Sequence, residues 1–131
     1  MRWGKRAFAA LAATALLTLG FASSAQAASR TIVYIGANDC SVCHKWEAAH
    51  KRALQASCAA RGVRFREIQV ATIRNIRDAR YWPADLRPLL AQFSDRSGTP
   101  HFLAVRNGEV VINAWGIGKY QREIAPLVAS R

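Results

Sequence analysis

The residues best equipped for chemistry are the two cysteines of Cys40-Ser41-Val42-Cys43-His44. An apolar run, residues 31–35, leads into this stretch, and a helical pattern from residue 44 to about residue 60 leads out of it. Two cysteines three apart at such a strand-to-helix turn place both sulfurs on one face of the first helical turn. Free backbone N–H groups and the positive end of the helix dipole then favour a thiolate on the first cysteine. A dithiol so placed can open and close as a disulfide, with Cys40 as the exposed attacking thiol and Cys43 as the more buried resolving one.

The same letters spell other sites. C-x-x-C-H is a c-type haem attachment pattern in which His44 would be one axial ligand. The usual second ligand is a methionine, and the only one is Met1, which leaves His50 or His101 as substitutes. A haem also needs a helical wrapper, whereas this chain has strong strand and hairpin signals. Cys40, Cys43 and a histidine could hold a metal, but no second C-x-x-C or H-x-x-H completes a tetrahedron. A static disulfide is the third alternative. Cys58, fifteen residues beyond Cys43, is out of reach of Cys43 in a straight helix and reads as a small buried apolar residue, with an intermolecular disulfide as the functional alternative.

The surrounding elements follow from periodicity. Residues 31–35 carry β-branched and aromatic side chains on both faces, as a buried central strand does. Gly36-Ala37-Asn38-Asp39 is a turn, and Asn38 or Asp39 can cap the helix after it. Cys43, Trp46, His50 and Leu54 form that helix's inward stripe, and Gly62 suits its left-handed end. Residues 63–70 alternate as a second strand. Residues 71–82 read as a short amphipathic helix with Arg74, Arg77 and Arg80 along a solvated edge, stopped by Pro83. Leu86, Leu89, Leu90 and Phe93 mark another helix, with Asp85 as cap and Pro88 in its first turn. Two strands, residues 101–106 and 109–114, flank Asn107-Gly108, a strong hairpin signal. Tyr120, Ile124, Leu127 and Val128 mark a last helix that Pro126 should kink or shorten. The fold class is therefore α/β: a mixed four-stranded sheet, made of a βαβ unit with a right-handed crossover plus an antiparallel ββ hairpin, flanked by helices.

The first 27 of the 131 residues read as a secretory signal peptide: a basic start, an apolar run over residues 7–22, and Ala25-Gln26-Ala27 as the cleavage site. Residues 28–131 then form one domain in a disulfide-permissive, periplasmic compartment. Cleavage removes three of the 19 basic residues and none of the 8 acidic ones, so a large positive excess remains. Without a nucleic-acid motif, the excess reads as a solvated basic surface attracted to acidic partners or anionic membranes.

This element order, with C-x-x-C at the start of the first helix, resembles thioredoxin across residues 28–131. The most specific further match is Gly98-Thr99-Pro100, a strand, and then Arg106-Asn107-Gly108-Glu109-Val110. Cys40-x-x-Cys43-His44-Lys45 also resembles the periplasmic disulfide isomerases. The resemblance implies a thioredoxin-like fold, a cis Pro100 facing Cys40 and Cys43, and a substrate chain that pairs with the backbone of Thr99. It implies a thiol–disulfide oxidoreductase that works through a mixed disulfide and needs no dissociable cofactor and no metal.

There are departures from the family pattern. Asp39 stands where thioredoxins have tryptophan, and a carboxylate there disfavours the thiolate. Tyr34 stands where they have a buried proton-transferring carboxylate. Ser41-Val42 is neither the Gly-Pro of thioredoxin nor the Pro-His of the strong periplasmic oxidants. The chain is too short for the isomerases' dimerisation domain and lacks the oxidants' helical insertion. Those absences point to a monomeric reductant fed by a membrane electron donor and acting on protein disulfides, like the reductants of cytochrome c maturation. His44, when protonated, is a candidate to support the Cys40 thiolate. His101 reads as a solvent-facing strand residue, and His50 and Trp46 as core.

Overall fold

The computed structural model describes residues 29–93 and 98–129. The expected signal peptide, and residues 94–97 of the loop before Pro100, lie outside them.

Strand β1, Arg30–Ala37, is the centre of the sheet. It pairs in parallel with β2, Arg64–Val70, and antiparallel with β3, His101–Arg106. β3 in turn pairs antiparallel with β4, Glu109–Trp115, so the order is β2-β1-β3-β4. The result is a mixed four-stranded α/β sheet. Its hairpin turns at Asn107 and Gly108, whose φ values of 50° and 80° fit the primed turn that an Asn-Gly pair favours.

Alternation along β1 divides the core in two. Val33 and Ile35 pack in one cluster with Ile68, Leu103, Trp82 and both cysteines of the C-x-x-C pair. Ile32 and Tyr34 pack in the other with Trp46, Leu54, Phe102 and Ile124. In the second cluster Tyr34 lies 4.3 Å from Trp46 and 5.4 Å from Phe102, ring centre to ring centre, and Tyr120 closes on Phe102 at 4.8 Å. Such pairs add about 0.5–1.5 kcal/mol each beyond area burial.

A continuous helix covers residues 41–60. It is α-helical over Ser41–Trp46, widens to a π-turn at Glu47–Lys51, and is α-helical again over Arg52–Ala60. Gly62 ends it at φ 64°. Its cap is neither Asn38 nor Asp39 but Cys40. Both expected caps are engaged elsewhere: the Asn38 Oδ1 accepts from Gln69, and the Asp39 Oδ1 accepts the Ile73 N–H.

Residues 71–82 do not form the expected amphipathic helix. They make two 3-10 turns, Ile73–Asn75 and Ala79–Tyr81. Local side chains compete with helix propagation: Thr72 and Asn75 close the first turn on themselves, and Asp78 accepts both the Arg80 N–H and its guanidinium. Arg77 leaves the supposed solvated edge and donates to the Phe93 carbonyl at 2.6 Å. The next expected helix is a 3-10 run, Arg87–Gln92, with Pro88 in its first turn as anticipated. Asp85 does not cap it, because Arg66 holds its carboxylate at 2.5 Å. The last helix, residues 117–128, widens to a π-turn over Tyr120–Ile124, just ahead of Pro126, which has no N–H to give to the preceding turn.

Tyr34 constrains its neighbour. A Cβ on Gly36 would overlap the Tyr34 hydroxyl and come within 2.8 Å of the Gln69 Oε1. Tyr34 cannot retreat, being fully buried with its hydroxyl donating to the Glu47 Oε1 at 2.8 Å. Gly36→Ala should therefore cost about 1–3 kcal/mol in urea unfolding. An unchanged midpoint would contradict this packing.

Candidate functional site

The chain leaves β1 at Ala37, turns tightly as the Cys40 N–H bonds the Ala37 carbonyl at 3.1 Å, and enters the helix. Cys40 is extended (φ −100°, ψ 101°), which swings its side chain back over the helix start. Its Sγ accepts the Cys43 N–H at 3.1 Å. The two residues are joined as a disulfide, their Cα atoms 5.2 Å apart. The sulfur that caps the helix thus sits where backbone N–H groups and the helix dipole would stabilise it as a thiolate.

Cys40 is less exposed than the sequence suggests. It is 4% exposed and Cys43 is 0% exposed, so their order holds while both are buried. The cause is the segment after β2: its 3-10 turns bring Ile76 and Trp82 into the cysteines' cluster, and Asp39 pins the segment through Ile73 at 2.9 Å. Val42, between the cysteines, remains 43% exposed.

The Thr99–Pro100 peptide bond is cis. His101, the next residue, lies opposite Ile35 near the end of β1, so this bond and the C-x-x-C turn share one end of the sheet. The Pro100 carbonyl accepts the Gly116 N–H at 2.9 Å. No hydrogen bond among the described residues uses the main chain of Thr99. Trp115, which no periodicity singled out, lies opposite His101 and is 55% exposed. Its indole covers Gly98 so closely that a Cβ there would sit 2.7 Å from the Trp115 Nε1.

A polar chain runs beside the helix start. Tyr34 donates to Glu47, which also lies 3.5 Å from the His44 Nδ1. The His44 Nε2 donates to the Asn38 carbonyl at 3.0 Å. The His44 ring is therefore committed to a carbonyl and a carboxylate rather than to a sulfur. The Asn38 carbonyl first, and then Glu47, raise its pKa above the ordinary imidazole value. Burial, reinforced by Glu47, pushes the Tyr34 phenol far up, so it stays a donor.

His101 is not solvent-facing. It is 2% exposed, stacks edge-on against Phe93 at 4.6 Å, and hydrogen-bonds Asn113. Burial lowers its pKa, against the opposing pull of Asn113. Cys58 is a free thiol, 1% exposed, and burial raises its pKa. His50 packs against Tyr120 at 5.5 Å. Among the described residues, no three His, Cys, Asp or Glu side chains cluster to hold a metal, and no helix is long and apolar enough to cross a membrane.

Fold and site together define a mixed α/β domain with a C-x-x-C disulfide at the start of the helix over residues 41–60. No protein-family description matches the chain, and no curated protein matches it.

The histidines give a direct test. An NMR titration should find His44 titrating above about 6.5 and His101 below it. Because its folded pKa is raised, the stability from His44 is complete below about pH 6.5 and fades as pH rises through the folded value. The contribution of His101, whose folded pKa is lowered, is complete above about pH 6.5 and is lost as pH falls through the folded value. The reverse order of titration would contradict both environments.

Proposed function

We propose that the chain is an exported thiol–disulfide oxidoreductase of thioredoxin-like fold, acting as a reductant of protein disulfides. The observation that carries this reading is the Cys40 sulfur, which caps the helix on the Cys43 N–H at 3.1 Å and is paired with Cys43. The cis Thr99–Pro100 bond at the same end of the sheet supports it.

In the reduced protein, the Cys40 thiolate attacks one sulfur of a substrate disulfide. The substrate's other sulfur leaves as a thiolate and takes up a proton. Cys43, deprotonated, then attacks the Cys40 sulfur, releases the second substrate thiol, and closes the Cys40–Cys43 disulfide. Two electrons pass to the substrate, and a dithiol donor, membrane-borne in this reading, returns them. The substrate chain lies along the backbone of Thr99, which makes no hydrogen bond among the described residues, as an added strand does. Asp39 and His44 act on the site indirectly. Asp39 fixes the segment that covers Cys40, and His44 fixes the Asn38 carbonyl in the preceding turn. No dissociable cofactor takes part. The working unit is a monomer in the periplasm, its signal peptide removed after Ala27.

Cys43→Ala tests the relay. Without the resolving thiol, the mixed disulfide on Cys40 persists. Periplasmic extracts of this variant, run without reductant, should show adducts that disappear when reductant is added. Adducts no more abundant than those of Cys40→Ala would overturn the mechanism.

A further inference from the structure

The end of the sheet opposite the cysteines gathers arginines. β1 begins at Arg30, β2 begins at Arg64, and β3 ends at Arg106. Arg30 lies opposite Arg106, and Thr31 opposite Arg64, so the three occupy adjoining strand ends about 5 Å apart. Arg61, at the end of the long helix, joins them. Arg30 donates to its carbonyl at 3.1 Å, and Arg61 itself donates to the Ala129 carbonyl at 2.6 Å.

All four arginines are exposed, and among the described residues none is ion-paired with a carboxylate. Asp85 is committed to Arg66. Glu109, opposite Arg106 across the hairpin, is the acidic residue left beside them. The charge of this pole is therefore strongly positive.

Two further features lie at the same pole. A shallow groove between the sheet and the last helix is lined by Arg30, Val63, Arg106, Val111, Leu127 and Val128. Val111 is 56% exposed and Leu127 48% exposed. The start of β1 also lies here. Ser29 is held from both sides by Asn107, at 3.0 Å and 2.9 Å.

We propose that this pole docks on a bilayer surface rich in anionic phospholipid. Guanidinium groups match phosphate geometry and keep their charge at any working pH. Anionic headgroups supply the counter-charge that the described residues do not, and Val111 and Leu127 reach the acyl boundary beside them. Docking by this pole turns the Cys40–Cys43 end away from the membrane, and it holds whether or not the dithiol works as proposed above.

The test is sedimentation of the exported protein with vesicles of mixed phosphatidylglycerol and phosphatidylcholine, and with phosphatidylcholine alone. Binding should require the anionic lipid and fall steeply with salt. Arg64→Gln/Arg106→Gln removes two arginines whose side chains make no hydrogen bond among the described residues, so the fold is retained, as circular dichroism can verify. This variant should bind roughly thirtyfold more weakly. Lys45→Gln/Arg74→Gln removes the same charge at the cysteine end and should bind like the parent. Equal binding to neutral vesicles, or equal loss in both variants, overturns the proposal. So does unchanged vesicle binding in Arg64→Gln/Arg106→Gln, and a shift in its oligomeric state would then make the pole a self-association face.

Discussion

The helix that carries the cysteines starts on a sulfur. The hydrogen bond from the Cys43 N–H to the Cys40 Sγ fills the capping position that Asn38 and Asp39 are chemically better suited to fill. Those two residues are thereby free to tie the turn outward. Asn38 reaches β2 through Gln69, and Asp39 reaches the segment after β2 through Ile73. That segment then packs over the disulfide with Ile76 and Trp82. The placement of the sulfur, its burial, and the position of the covering segment are one connected arrangement. Loss of the turn geometry would release all three.

On the other face of β1, Tyr34 has a comparable reach. It fills the centre of an aromatic cluster with Trp46 and Phe102, requires Gly36 beside it, and fixes Glu47 on the helix. Glu47 lies one turn beyond Cys43 and also faces His44. Its carboxylate stands at the point where the helix widens into a π-turn. Π-turns inside α-helices recur at functional sites.

Much of this was legible in the sequence because the signals were local. The alternation on both faces of residues 31–35, the Asn107-Gly108 turn, the Gly62 stop and the inward stripe of Cys43, Trp46 and Leu54 each follow from short-range rules. The misreadings came from contacts distant in sequence or from side chains competing for the backbone. Arg74, Arg77 and Arg80 have helical spacing, but Thr72, Asn75 and Asp78 close the chain into 3-10 turns. His101 follows a proline at a strand start, where alternation does not say that Phe93 and Asn113 will enclose it. Trp115 ends a strand and covers Gly98, a contact that no pattern in either segment announces.

The most direct test of the proposed chemistry is the reduction potential of the Cys40–Cys43 pair. It can be measured by equilibrating the protein in graded glutathione buffers and counting free thiols by alkylation. A sulfur that can rest as a thiolate on the Cys43 N–H favours the reduced form and raises the potential. The expected value is therefore above about −300 mV, within reach of physiological dithiols. A pair below about −300 mV, unmoved by glutathione, would be a structural disulfide and would contradict the redox role.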